Sequence, residues 1–199
     1  MTLNDKLSYE EWVDVYKKLV FWELELEKLD DPQMHEILTM QKSEANMQFS
    51  KFIEDNYLGW VNGKEKAPLL SNELLKKKVF PLINSTTPVF FILIDNLRYD
   101  QWKIINPLIT EYFRMDEEDT YSSILPTATQ YARNAIFSGL MPLEMEKRFP
   151  SLWQNDDDDG GKNLHEAAFL EDQIKRLFAV IIQMIKFTRG NFLQATMVL

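Results

Sequence analysis

The chain of 199 residues contains no cysteine and only two histidines. The lack of cysteine excludes disulfide bonds and thiolate metal ligands, and it suits a cytoplasmic protein. Basic residues are also few, at 22 against 31 acidic ones, which gives a net charge of −9. We therefore expect neither general nucleic-acid binding nor binding to an anionic membrane. The polar start of the chain, without an apolar run behind it, predicts no signal peptide.

The chain up to about residue 80 has the pattern of amphipathic helices. Ser8 and Glu11 have the spacing of a capping box, and apolar residues then recur at steps of three and four. Pro32 ends this helix and begins a second, which runs to about Gly59, and a third begins near Ser71. Three such helices with short connections predict a three-helix bundle.

From about residue 84 the pattern changes to that of an α/β protein. Six apolar residues, Val89–Ile94, predict a strand that is buried on both faces. Alternating elements follow, and their order predicts a βα unit with a parallel sheet. They are a helix from Tyr99 to Tyr112 with a kink at Pro107, a strand over 120–125, a helix from Thr129 to Gly139 and a last helix over 164–177.

The end of the chain, residues 178–199, is apolar, but Lys186 and Arg189 interrupt it before the ~20 residues that a membrane span requires. Two interpretations are open for this segment. It forms a buried helix or strand, or it is out of register with the preceding sequence, as after a frameshift.

Two residues are candidates for a phosphoryl-transfer site. Asp95 directly follows the predicted strand, at the end where α/β sheets bind ligands. Thr129 begins a helix, and the positive field at a helix N-terminus favours binding of a phosphate. A nearby metal ion would make the Thr129 hydroxyl a nucleophile. Thr127 is the alternative hydroxyl. The competing interpretation is structural: Asp95 and Thr129 are helix caps, with Arg98 as the surface partner of Asp95.

Other polar clusters are weaker candidates. Asp156–Asp159 lack the spacing of an EF-hand, which favours a solvated loop over a calcium site. Asp116–Asp119 have the composition of a turn. His165 with Glu166 forms a metal-ligand pair only if this histidine is not structural, and His35 is expected on a helix surface. The sequence contains no Walker loop, no dinucleotide fingerprint and no zinc-protease motif.

With Asp95 and the segment 126–129, the chain resembles the PglZ branch of the alkaline phosphatase superfamily. More closely, it is similar to PglZ-domain response regulators of the PorX type, from about Ser8 to about Leu177. The segments that carry the resemblance are Trp22-Glu23-Leu24, Phe49-Ser50-Lys51-Phe52, Phe80-Pro81-Leu82, Asp95-Asn96-Leu97-Arg98, and 125–139 with Met141-Pro142.

The resemblance implies a receiver domain, a three-helix bundle and then an α/β/α catalytic domain that binds two zinc ions. It implies a phosphodiesterase acting on nucleotide-type substrates, within a two-component system that controls type IX secretion. The same motifs imply that Asp95 is a zinc ligand. They also imply that Thr129, the second threonine of the segment 126–129, is the nucleophile and contacts the metal.

The departures from this pattern matter for activity. We find no receiver domain ahead of Ser8, and no counterparts of the later aspartate and histidine zinc ligands. We therefore expect a fragment, truncated at both ends and inactive as it stands. Its predicted divisions are a helical bundle over 1–83, the incomplete first part of an α/β/α alkaline-phosphatase-like domain over 84–177, and an apolar tail over 178–199.

The alternative function is a non-catalytic helical module for dimerisation or signalling, with a homodimer formed through the bundle. A third interpretation, an unrelated protein with coincidental motifs, would gain support if residues 89–94 were helical.

Overall fold

A computed structural model describes residues 7–29, 31–63, 66–83, 87–154, 163–177, 183–189 and 192–198. The chain divides into two compact units, each made of separate stretches. One comprises Met1–Pro68 and Asn96–Thr120, and the other comprises Leu69–Asp95 and Tyr121–Leu199. The division at residues 83 and 177 that the sequence suggests stays a prediction about domains.

The first unit contains helices α1 (Tyr9–Leu26), α2 (Pro32–Val61) and α3 (Tyr99–Thr110). The predicted capping box is confirmed: Glu11 N donates to Ser8 Oγ at 3.2 Å, and Ser8 N donates to Glu11 Oε2 at 2.7 Å. These bonds satisfy backbone donors that the first helical turn leaves unpaired.

The core of this unit lies between α1 and α2, where Trp12 and Val15 pack against Ala45. Trp12 also meets the Phe49 and Phe52 rings, with centroids 5.6 and 6.2 Å away. The apolar patterns predicted for α1 and α2 therefore form this contact only in part, since Trp22 of the α1 pattern is 53% exposed. α3 continues through Pro107 to Thr110.

Glu118 anchors the acidic segment after α3 within the first unit. Its carboxylate accepts hydrogen bonds from Lys17, Tyr99, Trp102 and Lys103 at 3.1–3.3 Å. Partial burial alone would raise the pKa of Glu118, but these donors outweigh it and lower the pKa to about 2. The predicted turn is thus held by a carboxylate that stays charged at neutral pH.

The predicted third helix begins at Ser71 as expected, but it is not a regular α-helix. Residues 71–82 form a 3-10 turn, a π-helical turn over Leu75–Val79 and a second 3-10 turn, all within the second unit. Leu75 and Phe80 are buried in that unit's core, and Pro81 lacks the N–H that a continuing helix needs. The local helical pattern is therefore kept, but this segment belongs to the second unit, so the three-helix bundle as predicted is not formed.

The second unit contains α4 (Thr129–Ser138), α5 (Pro142–Arg148) and α6 (Glu166–Leu177). Their shared core includes Phe137, Met145 and Phe169, each at most 1% exposed. α4 ends as predicted at Gly139, whose φ of 65° lies in the left-handed region. A Cβ there would collide with Gln173, so both conformation and space require glycine.

The sheet of the second unit contains β1 (Val89–Leu93), β2 (Gln183–Arg189) and β3 (Phe192–Val198). Their order is β1-β3-β2, and both pairings are antiparallel, with Phe91 opposite Ala195. The predicted strand at 89–94 is confirmed, whereas the predicted parallel sheet is wrong. The α/β class is thus confirmed only in part. Phe90 and Ile92 are 58% and 62% exposed, so the described strand is not buried on both faces.

The second predicted strand, 120–125, is also wrong. Only one parallel bridge forms there, between Leu70 and Ser122, with Ser122 N donating to Leu69 O at 2.7 Å. Ser122 and Ser123 interrupt the apolar pattern that a half-buried strand requires.

In the apolar end of the chain, residues 183–189 and 192–198 form strands. This secondary structure agrees with the interpretation of the segment as a buried helix or strand. The predicted acidic loop with Asp156–Asp159 lies outside the described residues. In the part of the chain that the structure describes, no helix has the length and apolar character needed to cross a bilayer.

Candidate functional site

Asp95 lies in the turn after β1, with 45% of its side chain exposed. The next residue, Asn96, has a φ of 60°, in the left-handed region that asparagine tolerates better than most residues. Asp95 is not the cap of α3, because Arg98 is the N-cap residue of that helix. Arg98 instead pairs with Asp100 at 2.6 Å. Both parts of the structural interpretation of Asp95 are therefore wrong.

Thr129 is the first residue of α4, and Ala128 is its N-cap residue. No side chain caps this helix by a hydrogen bond, so the interpretation of Thr129 as an N-cap is also wrong. The Thr129 side chain is half-buried, while Thr127 is exposed in the preceding segment. The hydroxyl of Thr129 lies in the first turn, where helix N–H groups provide a positive field.

Arg133 connects Asp95 to the helix that carries Thr129. It lies four residues after Thr129 in α4, on the same helix face. Its Nη1 donates to Asp95 Oδ2 at 2.8 Å. The two sequence-predicted residues therefore belong to one region of the second unit, linked by an arginine that the sequence analysis did not single out.

The other side of the Arg133 guanidinium contacts Glu166. Nη2 donates to Glu166 Oε1 at 2.8 Å, and only 3% of the Glu166 side chain is exposed. A buried carboxylate requires a cation or several donors, and Arg133 supplies the cation. Arg133 Nε is buried and has no hydrogen-bond partner among the described residues.

Tyr121 is close enough to Asp95 for its phenol to respond to the carboxylate. Partial burial and the Asp95 charge both raise the pKa of Tyr121. Its phenol is therefore neutral at physiological pH and can accept or donate a hydrogen bond there.

The other predicted candidates do not join this site as metal ligands. His165 precedes Glu166 but has its ring 6.4 Å from the Phe169 ring centroid, and His35 is exposed on α2. Asp116 pairs with Arg114 at 2.6 Å, on the surface of the first unit.

The described residues do not fit a two-zinc centre. Two zinc ions require about six or more protein ligands. Within the described ranges, no group of three or more histidine, aspartate or glutamate side chains could hold a metal ion. The carboxylate of Asp95, the predicted ligand, is already paired with Arg133.

Comparison with known families adds to this geometry. The model described as the BREX system PglZ alkaline phosphatase-like domain matches residues 74–195, more than half of the chain. The chain belongs to the PglZ family. A second model, the PorX response regulator linker domain, matches residues 1–61. The combination is that of a PorX-type PglZ protein, as the resemblance in the sequence predicted. No curated protein matches the chain.

The PglZ match extends past Leu177, where the predicted resemblance ends. It includes β2 and most of β3, which pair with β1 in the same sheet. The match thus includes residues 178–195 of the segment for which two interpretations are open, and its register stays a prediction.

Proposed function

We propose that this chain contains the nucleophile-bearing part of a zinc-dependent phosphodiesterase site, preceded by a response-regulator linker. In this proposal Thr129 is the nucleophile and Asp95 is a metal ligand. The observation that carries it is the Arg133–Asp95 contact of 2.8 Å, which ties the end of β1 to the face of α4 that begins with Thr129. Membership of the PglZ alkaline phosphatase-like family supports the reaction class.

The reaction follows from the hydroxyl at the helix start. The Thr129 hydroxyl gives up its proton to solvent and its oxygen attacks the phosphorus of a diester, while the bond from phosphorus to the leaving ester oxygen breaks and that oxygen takes up a proton. The phosphoryl group on Thr129 still carries the second ester group, and water then cleaves the bond from phosphorus to the Thr129 oxygen and releases a phosphate monoester. The N-terminal field of α4 favours the negative charge of the phosphate. Because the described donors are too few for two zinc ions, we propose that turnover is low in this chain.

The physiological role is proposed on the same family basis. A nucleotide-type phosphodiester is the substrate class, signalling proteins are the partners, and the protein acts in the cytoplasm in a two-component system that controls type IX secretion. The match of residues 1–61 to a response-regulator linker supports the signalling context.

The test of the nucleophile is Thr129→Ala, with Thr127→Ala as the matched control. With excess zinc and bis(p-nitrophenyl) phosphate, we expect Thr129→Ala to reduce the residual rate to that of the uncatalysed reaction, because the attacking oxygen is lost. Thr127→Ala should keep the rate within about twofold. A rate that falls only in Thr127→Ala would assign the nucleophile to Thr127, and a rate unchanged in both variants would contradict a threonine nucleophile.

A second function, dimerisation through the helical linker, is favoured by an apolar stripe on α2. Met40, Met47 and Leu58 are seven and eleven residues apart, which places them on one helix face. They are 58%, 67% and 65% exposed. A second copy of α2 would cover such a stripe.

We expect the whole chain to sediment as a dimer and Met47→Glu to shift it to a monomer, because a charge would then lie in the apolar interface. Gln41→Glu is the control and should leave the dimer intact, because Gln41 is exposed and lies about 120° around α2 from Met47. A monomeric wild-type chain at micromolar concentration would exclude this function.

A further inference from the structure

We propose that a cavity in the first unit binds an arginine side chain from a basic peptide segment of a partner protein. The cavity is formed by α3 and the acidic segment that follows it, residues 111–120, and we call it the α3 cavity. It uses none of the residues of the proposed phosphodiesterase site, so the two proposals succeed or fail separately.

The α3 cavity has the size and lining of a ligand pocket. Its volume of about 420 Å³ lies within the range of roughly 300–1,000 Å³ that is usual for ligand pockets. The lining combines apolar side chains with carboxylates from the segment after α3. The apolar side chains include Trp102, Ile109, Phe113 and Met115, and the carboxylates are Glu117, Glu118 and Asp119.

Phe113 presents its ring to a partner at this cavity. It is 71% exposed, although an apolar side chain of this size is usually buried. An arginine guanidinium stacks on an aromatic face, and its aliphatic stem covers apolar surface. A phenylalanine ring in the same cavity as three carboxylates thus suits a cation that is carried on an apolar stem.

The charge of the segment after α3 selects a basic partner. Residues 111–120 contain five carboxylates and one arginine. Glu118 is already balanced by two lysines of the same unit, whereas Glu117 and Asp119 are exposed where they line the cavity. A basic segment complements these exposed carboxylates. A second copy of this chain, with a net charge of −9, is repelled by them.

A buried acceptor in the cavity wall favours a ligand with several N–H donors. Asn106 lines the cavity, and its buried Oδ1 has no hydrogen-bond partner in the part of the chain that the structure describes. Buried polar atoms are rarely left without a partner. The planar guanidinium of arginine has five N–H donors, so it can bond to this oxygen and to a carboxylate together. The compact ammonium of lysine is less suited to both contacts, and the acceptor therefore favours arginine.

A cavity that serves no partner would behave differently. Any binding of a basic peptide would then come from the overall negative charge of the chain. Such binding would be equally strong for arginine and lysine peptides, and loss of any exposed carboxylate would weaken it to a similar extent.

The experiment measures binding of a fluorescein-labelled peptide, Gly-Ser-Arg-Ala-Arg-Ser-Gly, to the full chain by fluorescence anisotropy at physiological salt. We expect saturable binding that is at least about fivefold tighter than that of the same peptide with two lysines. Phe113→Ala and Glu117→Gln should each weaken binding at least about fivefold, because each removes one part of the α3 cavity.

The matched controls replace exposed neighbours that do not line the cavity. Tyr112→Ala removes an aromatic ring that is 80% exposed, and Glu111→Gln removes an exposed carboxylate. Both should leave the affinity within about twofold of wild type. Because all four variants replace exposed side chains, each should keep the circular dichroism spectrum of the wild-type chain.

Equal affinity for the arginine and lysine peptides would overturn the proposal, and so would equal weakening by Glu117→Gln and Glu111→Gln. Absence of binding to the folded wild-type chain at millimolar peptide would overturn it as well. Agmatine, a free guanidinium compound, tests the source of the ligand. If it binds as tightly as the peptide, the cavity binds a small molecule and the proposal of a peptide partner is wrong.

A second measurement locates the peptide without any change to the binding residues. The indole N–H signals of the wild-type chain are followed by ¹⁵N NMR, with Trp102→Phe and Trp12→Phe used only to assign them. We expect the Trp102 signal to shift as the peptide is added, because Trp102 lines the cavity, and the Trp12 signal of the buried α1–α2 core to stay unchanged. A bound peptide that leaves the Trp102 signal unchanged would overturn the proposal.

Discussion

Phe137→Ala is expected to lower the free energy of unfolding by about 3–5 kcal/mol. Phe137 is 1% exposed and lies in the core between α4 and the other helices of the second unit. Its ring also meets Phe91 of β1, with centroids 6.2 Å apart at 78°. The alanine variant would leave a cavity where the nucleophile helix packs against the strand that leads to Asp95. Urea unfolding followed by circular dichroism measures the change.

The control is Phe90→Ala, one residue from Phe91 on the other face of β1. Phe90 is 58% exposed, so its removal should change the unfolding free energy by less than about 1 kcal/mol. Equal losses in the two variants would contradict the packing of α4 on this face of β1.

Arg133→Met, without added metal, is expected to lower the unfolding free energy by about 3–5 kcal/mol. The cause is Glu166, which would remain as a buried carboxylate without a cation. Arg133→Met/Glu166→Met replaces the ion pair by two apolar side chains and should recover most of the lost stability, because no uncompensated charge remains. Thermal and urea unfolding of both variants measure the difference.

A double variant as unstable as Arg133→Met would show that the loss comes from packing of the arginine side chain. A single variant as stable as wild type would mean that Glu166 is not buried against Arg133.

The sequence predicts well those features that depend on neighbouring residues. The start of α1 at Ser8, the start of α2 at Pro32 and the end of α4 at Gly139 each follow from cap or turn chemistry within a few positions. β1 is also predictable, because six consecutive apolar residues leave few alternatives.

The wrong predictions concern features decided by distant partners. Residues 71–82 are helical as predicted, but Leu75 and Phe80 are buried in the core of the second unit and not in a bundle with α1 and α2. The direction of the sheet depends on β3, which lies about a hundred residues after β1 and carries no local signal for antiparallel pairing.

The candidate site shows the same limit. The roles of Asp95 and Thr129 stay predictions, but their positions after β1 and at the start of α4 were predictable from the local sequence. Arg133 was not singled out, because its partners Asp95 and Glu166 are 38 and 33 residues away in the sequence. Glu166 was named only as a weak metal-ligand candidate beside His165, not as a partner of Arg133. The only sequence signal for Arg133 was its position one helical turn after Thr129 at the start of a helix. Such spacing is common in helices, so it does not single out this arginine.

The central proposal is that Asp95 is a metal ligand whose carboxylate pairs with Arg133 while no metal is bound, in a site whose described donors are too few for two zinc ions. Its most direct test is the zinc content of the wild-type chain after incubation with zinc and desalting, measured by elemental analysis beside Asp95→Ala and Thr129→Ala. We predict fewer than about one zinc ion per chain, unchanged in the two variants. About two zinc ions per chain in wild type, lost in both variants, would contradict the claim.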